Sequence, residues 1–121
     1  MIYQKSRSLG GDNVAQEKTF ENKIKMMLKS NGCYFVKFFA NRMTKVGVPD
    51  ILASVNGYFV GIEVKAKNGR PSELQLHNVR KIRESGGFAF IVYPSGYDTL
   101  KEFIEGLTKD TFNRDMPEIL K

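Results

Sequence analysis

The sequence predicts an α/β fold in which one helix precedes three β-rich runs, with a second helix and a fourth strand after them. Three observations predict it. Asn56-Gly57 separates Asp50-Ile51-Leu52-Ala53-Ser54-Val55 from Tyr58-Phe59-Val60-Gly61-Ile62-Glu63-Val64-Lys65, and Asn-Gly favours the two-residue type I′ hairpin turn because both central residues there take positive φ. Phe20, Ile24, Met27 and Leu28 recur at spacings of three and four, which is the period of one helix face. Gly86-Gly87 ends a helical stretch that opens at Ser72 and is followed by the apolar run Phe88 to Tyr93, so helix gives way to strand.

Taken in order, residues 1–12 mix Gln, Lys, Ser, Arg and Gly without periodicity and are expected to form a mobile arm. The first helix is expected over residues 13–30, stopped by Asn31-Gly32. Tyr34 to Phe39 is the first strand, with apolar residues on both faces, as in a strand covered on both sides. Asp50 opens one arm of the hairpin, Glu63 to Lys65 end the other, and Pro49 suits a strand start, where its missing N–H costs little. Ser72 to Ser85 is the second helix and Phe88 to Tyr93 the fourth strand. A last helix runs from Tyr97 or Asp98 to about Leu107, with Asp98 the better cap. Residues 108–121 form a tail of weak periodicity, leaving a single domain over 13–107.

The 121 residues, 41% of them hydrophobic, fit one core. A net charge of +6 permits sequence-independent attraction to phosphates. One cysteine, Cys33, cannot form an internal disulfide, and neither a secretory leader nor an apolar run long enough to span a membrane is apparent. The chain reads as soluble and intracellular, with a viral origin compatible. A single His and a single Cys cannot build the usual zinc sets. Carboxylates must therefore hold any metal, which favours Mg2+ or Mn2+.

The chemistry centres on the hairpin. Alternation along the strand puts Glu63 and Lys65 on one face, about 6.5 to 7 Å apart, with room between them for a phosphate and its attacking water. Asp50 lies at the end of the paired strand. A Glu63–Lys65 ion pair of purely structural value would have the same spacing. Lys65 is assigned to orienting water and to stabilising charge that develops on the phosphoryl group. Glu21 lies on the apolar stripe of the first helix with Ile24 and Leu28, and Glu17 one turn earlier competes with it. Ser72-x-x-Gln75 is a capping box, yet Gln75 also shares a stripe with Val79 and Ile82 that points at the sheet near Glu63 and Lys65. His77 falls on another side of the helix. Lys37, Arg42, Lys45, Lys67 and Arg70 are the candidate DNA contacts.

Asp50 followed by Glu63-Val64-Lys65 resembles the PD-(D/E)XK nuclease signature. The wider pattern of Gly47-Val48-Pro49-Asp50, Ile62 to Ala66, Gly69 and Ser72-x-x-Gln75 resembles the VRR-NUC branch of that superfamily, with a second likeness to archaeal-type Holliday junction resolvases. The likeness covers roughly residues 17 to 93. It implies a restriction-endonuclease-like αβββαβ core with a mixed central sheet flanked by helices, and Mg2+- or Mn2+-dependent cleavage of DNA. It further implies metal ligation by Glu21, Asp50, Glu63 and the Val64 carbonyl, assistance from Gln75, and a homodimer acting on four-way junctions; neither a nucleotide cofactor nor a membrane partner is expected. A flap, single-strand or duplex nuclease within a larger machine, and a DNA-binding module that does not cut, remain alternatives.

Overall fold

The computed structural model describes residues 2–39 and 46–110, with side chains described from residue 13. Its elements are helix α1 (Ile2–Ser30), strands β1 (Tyr34–Lys37), β2 (Ile51–Val55) and β3 (Tyr58–Val64), helix α2 (Glu73–Glu84), strand β4 (Phe88–Val92), a 3-10 turn at Pro94–Gly96 and helix α3 (Tyr97–Thr108). The four strands form one mixed sheet in the order β1-β2-β3-β4, antiparallel except for the parallel pair β3 and β4. Helices flank it, as the αβββαβ expectation required.

The hairpin turn has the predicted backbone, with Asn56 at φ 50° and Gly57 at φ 87°. The Asn56 side chain also donates to the carbonyls of Leu107 at 2.8 Å and Asp110 at 2.7 Å, tying the turn to the end of α3. Alternation divides the sheet into two faces. Ile51, Ala53, Val55, Val60, Ile62 and Val64 meet Phe20, Ile24, Met27 and Leu28 of α1 and Leu100, Ile104 and Leu107 of α3 in one buried cluster. Phe103 packs edge-on against Phe88 at 5.0 Å and Phe90 at 5.2 Å, extending this core over β4.

On the other face, α2 lies close over β3. A Cβ at Gly61 would come within 3.0 Å of Ile82 Cδ1 and 3.1 Å of Pro49 Cγ, so the glycine is what lets helix and proline approach the strand. Gly47 serves the same end. At φ 86° it passes so near Leu74 that a Cβ would stand 2.7 Å from that residue's carbonyl carbon. The buried Asn78 amide bridges the carbonyls of Leu74 at 2.8 Å and Val46 at 3.3 Å. The segment entering Asp50 is thereby clamped to α2.

Three expectations are corrected. Helix α1 begins at Ile2, well before residue 13; the apolar stripe marks only the part that packs on the sheet, and its first buried residue is Phe20. Strand β1 ends at Lys37 and is an edge strand with one open face, Tyr34 being 74% and Val36 42% exposed. Helix α2 contacts chiefly β4 and β3, which leaves the β1 end of that face open among the described residues. Gly96, not Asp98, occupies the α3 N-cap, without a side-chain cap bond, and Asp98 sits in the first turn, where a carboxylate suits the helix dipole. Arg42, Lys45 and the tail from residue 111 lie outside the described residues.

Candidate active site

The end of the sheet nearest the α2 N-terminus gathers the charged residues. Asp50 just precedes β2, Glu63 is the penultimate residue of β3, Lys65 follows that strand, and Lys37 ends β1. Gln75 comes from the first turn of α2 and Glu21 from α1. The α2 N-terminus, with its positive dipole end, opens on this corner.

Glu63 is 2% exposed. Its Oε2 accepts from Gln75 Nε2 at 3.0 Å and faces Lys65 Nζ at 3.5 Å. Its Oε1 is buried and has no donor among the described residues. The Asp50 carboxyl lies within interaction range of Glu63. Two carboxylates are both acceptors and can share a hydrogen bond only when one carries a proton. Burial first, and then the charge and hydrogen bond of Asp50, push Glu63 up to about 8 despite the opposing Lys65. Asp50 is itself fixed, since Oδ2 accepts from the Val64 amide at 2.9 Å and Oδ1 from Lys37 Nζ at 3.3 Å.

Gln75 both caps α2 and reaches Glu63. Its Oε1 takes the Ser72 amide at 2.9 Å and its own amide donates to Ser72 Oγ at 3.1 Å, closing the capping box, while the remaining amide nitrogen holds Glu63.

Glu21 approaches this group through a cation. Lys37 Nζ is 2.6 Å from Glu21 Oε1, and Lys25 Nζ is 3.0 Å from Oε2. Burial would raise the Glu21 carboxyl, but the hydrogen bonds and charges of Lys37 and Lys25 outweigh it and hold the group below its ordinary value. Lys37 loses solvation too, yet Glu21 and Asp50 raise it above the usual ammonium value. Among the described residues no three His, Cys, Asp or Glu side chains converge to hold a metal. The expected ligands Glu21, Asp50 and Glu63 are not gathered into such a group, because Lys37 stands between Glu21 and Asp50. Glu17 lines the same 310 Å³ cavity as Glu21 and Lys37.

Lys37 is the residue whose place sequence reasoning missed. The pairing with Ile51 sets this candidate phosphate contact on the α1 side of the sheet, where it turns to Glu21 and Asp50. The alternation of Tyr34 to Lys37, combined with that register, carries the signal. Lys67 and Arg70 are exposed, as expected, and line an open pocket of 670 Å³ with Asn68, Gly69, Pro71 and Tyr93. His77 is exposed on α2.

The donor set suits a hard divalent cation. Mg2+ is commonly held by one or two carboxylates, with waters and substrate phosphates completing its octahedron, and a paired Asp50 and Glu63 with an orphaned oxygen offer this. No helix among the described residues is long and apolar enough to cross a membrane.

No curated protein matches the chain. The profile of the family described as archaeal Holliday junction resolvase (hjc) matches residues 12–96, a span that contains Glu21, Lys37, Asp50, Glu63, Lys65 and Gln75. The match carries the resolvase likeness of the motifs, while the narrower VRR-NUC assignment stays a resemblance. A matched span of this length, carrying the paired acids and the lysine, makes the chain a member of the archaeal Holliday junction resolvase family, nucleases of the PD-(D/E)XK type.

Proposed function

We propose that the chain is a divalent-metal-dependent endonuclease that hydrolyses phosphodiester bonds of branched DNA, four-way junctions foremost, as a homodimer. The observation that carries the proposal is the pair Asp50 and Glu63. Burial first, and then the charge and hydrogen bond of Asp50, raise Glu63 to about 8, and its Oε1 has no donor among the described residues, which favours a cation beside the two acids. Asp50, Glu63 and the Val64 carbonyl would hold Mg2+ or Mn2+. When bound, the ion supplies Lewis acidity and positive charge at the scissile phosphate.

The chain's own residues do the rest. Lys65, 3.5 Å from Glu63, presents its ammonium to the phosphate and stabilises negative charge that grows on it. Gln75 holds Glu63 in place from α2. Lys37 keeps Asp50 and Glu21 from repelling each other, and Glu21 acts through Lys37 as a positioning residue rather than a direct ligand. Lys67 and Arg70 contact the backbone beyond the site.

The dimer is supported by the open sheet face. Tyr34, Val36 and Phe59, the last 49% exposed, project from the α2 side of β1 and β3, with Leu52 beside Val36 and Ser54 between Tyr34 and Phe59 in the ladder. An apolar patch on a sheet edge calls for a partner, and a second copy joined across a two-fold axis would present two sites to a substrate of near two-fold symmetry. Val36→Glu is expected to yield monomers by sedimentation at micromolar concentration.

Labelled junction, flap, duplex and single-stranded DNA incubated with Mg2+, Mn2+ or EDTA test the activity. Junction cleavage in either ion and none in EDTA is expected. Preference for flaps or single strands would shift the substrate, and tight junction binding without product in either ion would make the chain a binding module.

A further inference from the structure

Phe39 ends the described part of the first connection with its ring 73% exposed. An aromatic side chain left in water forgoes a burial free energy that the rest of this sheet collects, and its surroundings are uncommon. Lys37 Nζ lies 5.6 Å from the ring centroid and 3.3 Å from Asp50 Oδ1, so one ammonium joins the ring to the candidate active site. Phe39 also forms a wall of the 310 Å³ cavity completed by Val14, Glu17, Lys18, Glu21 and Lys37. Val14, opposite in character to those charges, is exposed as well.

The charges say which part of a nucleic acid fits there. Among the described residues that line the cavity, Glu17 and Glu21 offset Lys18 and Lys37, whereas the described wall of the pocket at Lys67 and Arg70 carries two cations and no acid. A neutral, flat and partly apolar ligand with polar edges suits it better. From this geometry we infer that Phe39 is a stacking platform for one unpaired nucleobase of the DNA whose phosphate lies at Asp50 and Glu63. The inference rests on the proposed nuclease reading and deepens it. Every base has a π-face, so the contact is indifferent to sequence. In a continuous duplex the base would first have to leave its stack, at a cost of a few kcal/mol that is least where the base is already unpaired. A base at a branch or strand end has less to lose, and Phe39 would thus confer preference for branched DNA without reading any letter.

The chain contains no tryptophan, so F39W places a single indole reporter at the platform. Its emission is expected to be quenched severalfold on binding a four-way junction, and much less with a junction whose branch-point nucleotides are abasic. F39A is expected to lower the ratio of junction to duplex affinity about tenfold, the effect of one lost base stack, as read by gel mobility in EDTA. If wild type cuts junctions while F39A keeps the wild-type affinity ratio, or if the two junctions quench F39W equally, the stacking inference is wrong and the nuclease reading stands. If wild type neither binds nor cuts any branched DNA, the nuclease reading falls and this inference with it.

Discussion

Gln75 donates to Glu63 Oε2 at 3.0 Å from the same side-chain amide whose oxygen caps helix α2 through the Ser72 N–H. Helix start and acid site are thus one construction. Gln75→Glu preserves a capping-box acceptor but sets a carboxylate against Glu63, whereas Gln75→Ala removes both bonds. Gln75→Ala is expected to cost about 1 to 2 kcal/mol in urea unfolding. Gln75→Glu is expected to retain more of that stability yet lose most junction cleavage. Equal activity of Gln75→Glu and wild type would confine the residue to capping.

Glu63 gives the metal-free protein a pH dependence of definite sign. With its carboxyl raised from 4.5 to about 8, the native state keeps a proton that the unfolded chain releases. Its contribution to stability is complete below 4.5 and is lost as pH rises through about 8. In EDTA the melting temperature is expected to fall across that interval, and Glu63→Gln should flatten the slope. Mg2+ must displace the same proton, so calorimetry should detect proton release on binding below pH 8.

Lys37 balances Glu21 and Asp50 at 2.6 and 3.3 Å. Lys37→Met leaves two half-buried acids without their shared cation, and a loss of about 2 kcal/mol at neutral pH is expected. Glu21 is held below its ordinary 4.5, so its share of the stability is present above that pH and fades as acid protonates it. The gap between wild type and Lys37→Met in urea melts should narrow on acidification. A gap that does not change with pH would assign the loss to packing of the lysine stem.

Gly47 and Leu74 touch so closely that Gly47→Ala must push them apart from a 2.7 Å contact, at a position with φ 86°. A destabilisation of about 1 to 3 kcal/mol is expected. The displaced segment carries Asp50, so cleavage should fall by more than it does in Leu107→Ala, whose side chain lies in the core away from the acids.

Much of this architecture was legible because it is local. Asn56-Gly57 fixed the hairpin, strand alternation put Glu63 and Lys65 on the α2 face, and Ser72-x-x-Gln75 marked the helix that faces them. What escaped depends on register and on packing between distant segments. The apolar run Tyr34 to Phe39 reads alike for a covered strand and for an edge with an open face, and only the placement of α2 over β3 and β4 decides. Lys37 looked like any basic residue beside a loop until its pairing with Ile51 turned it inward. Glu21 was placed on the sheet-facing stripe, yet the lysine standing between it and Asp50 comes from another element.

The proposed activity requires above all that Asp50 and Glu63 form one cation site. Cleavage of a labelled four-way junction in Mg2+ by Asp50→Asn, compared with wild type and accompanied by junction binding and a melting curve, tests this most directly. A folded Asp50→Asn protein that binds junctions but cuts at least a hundredfold more slowly is predicted, an effect of about 3 kcal/mol or more on the barrier. Cleavage by Asp50→Asn at the wild-type rate in Mg2+ would contradict it.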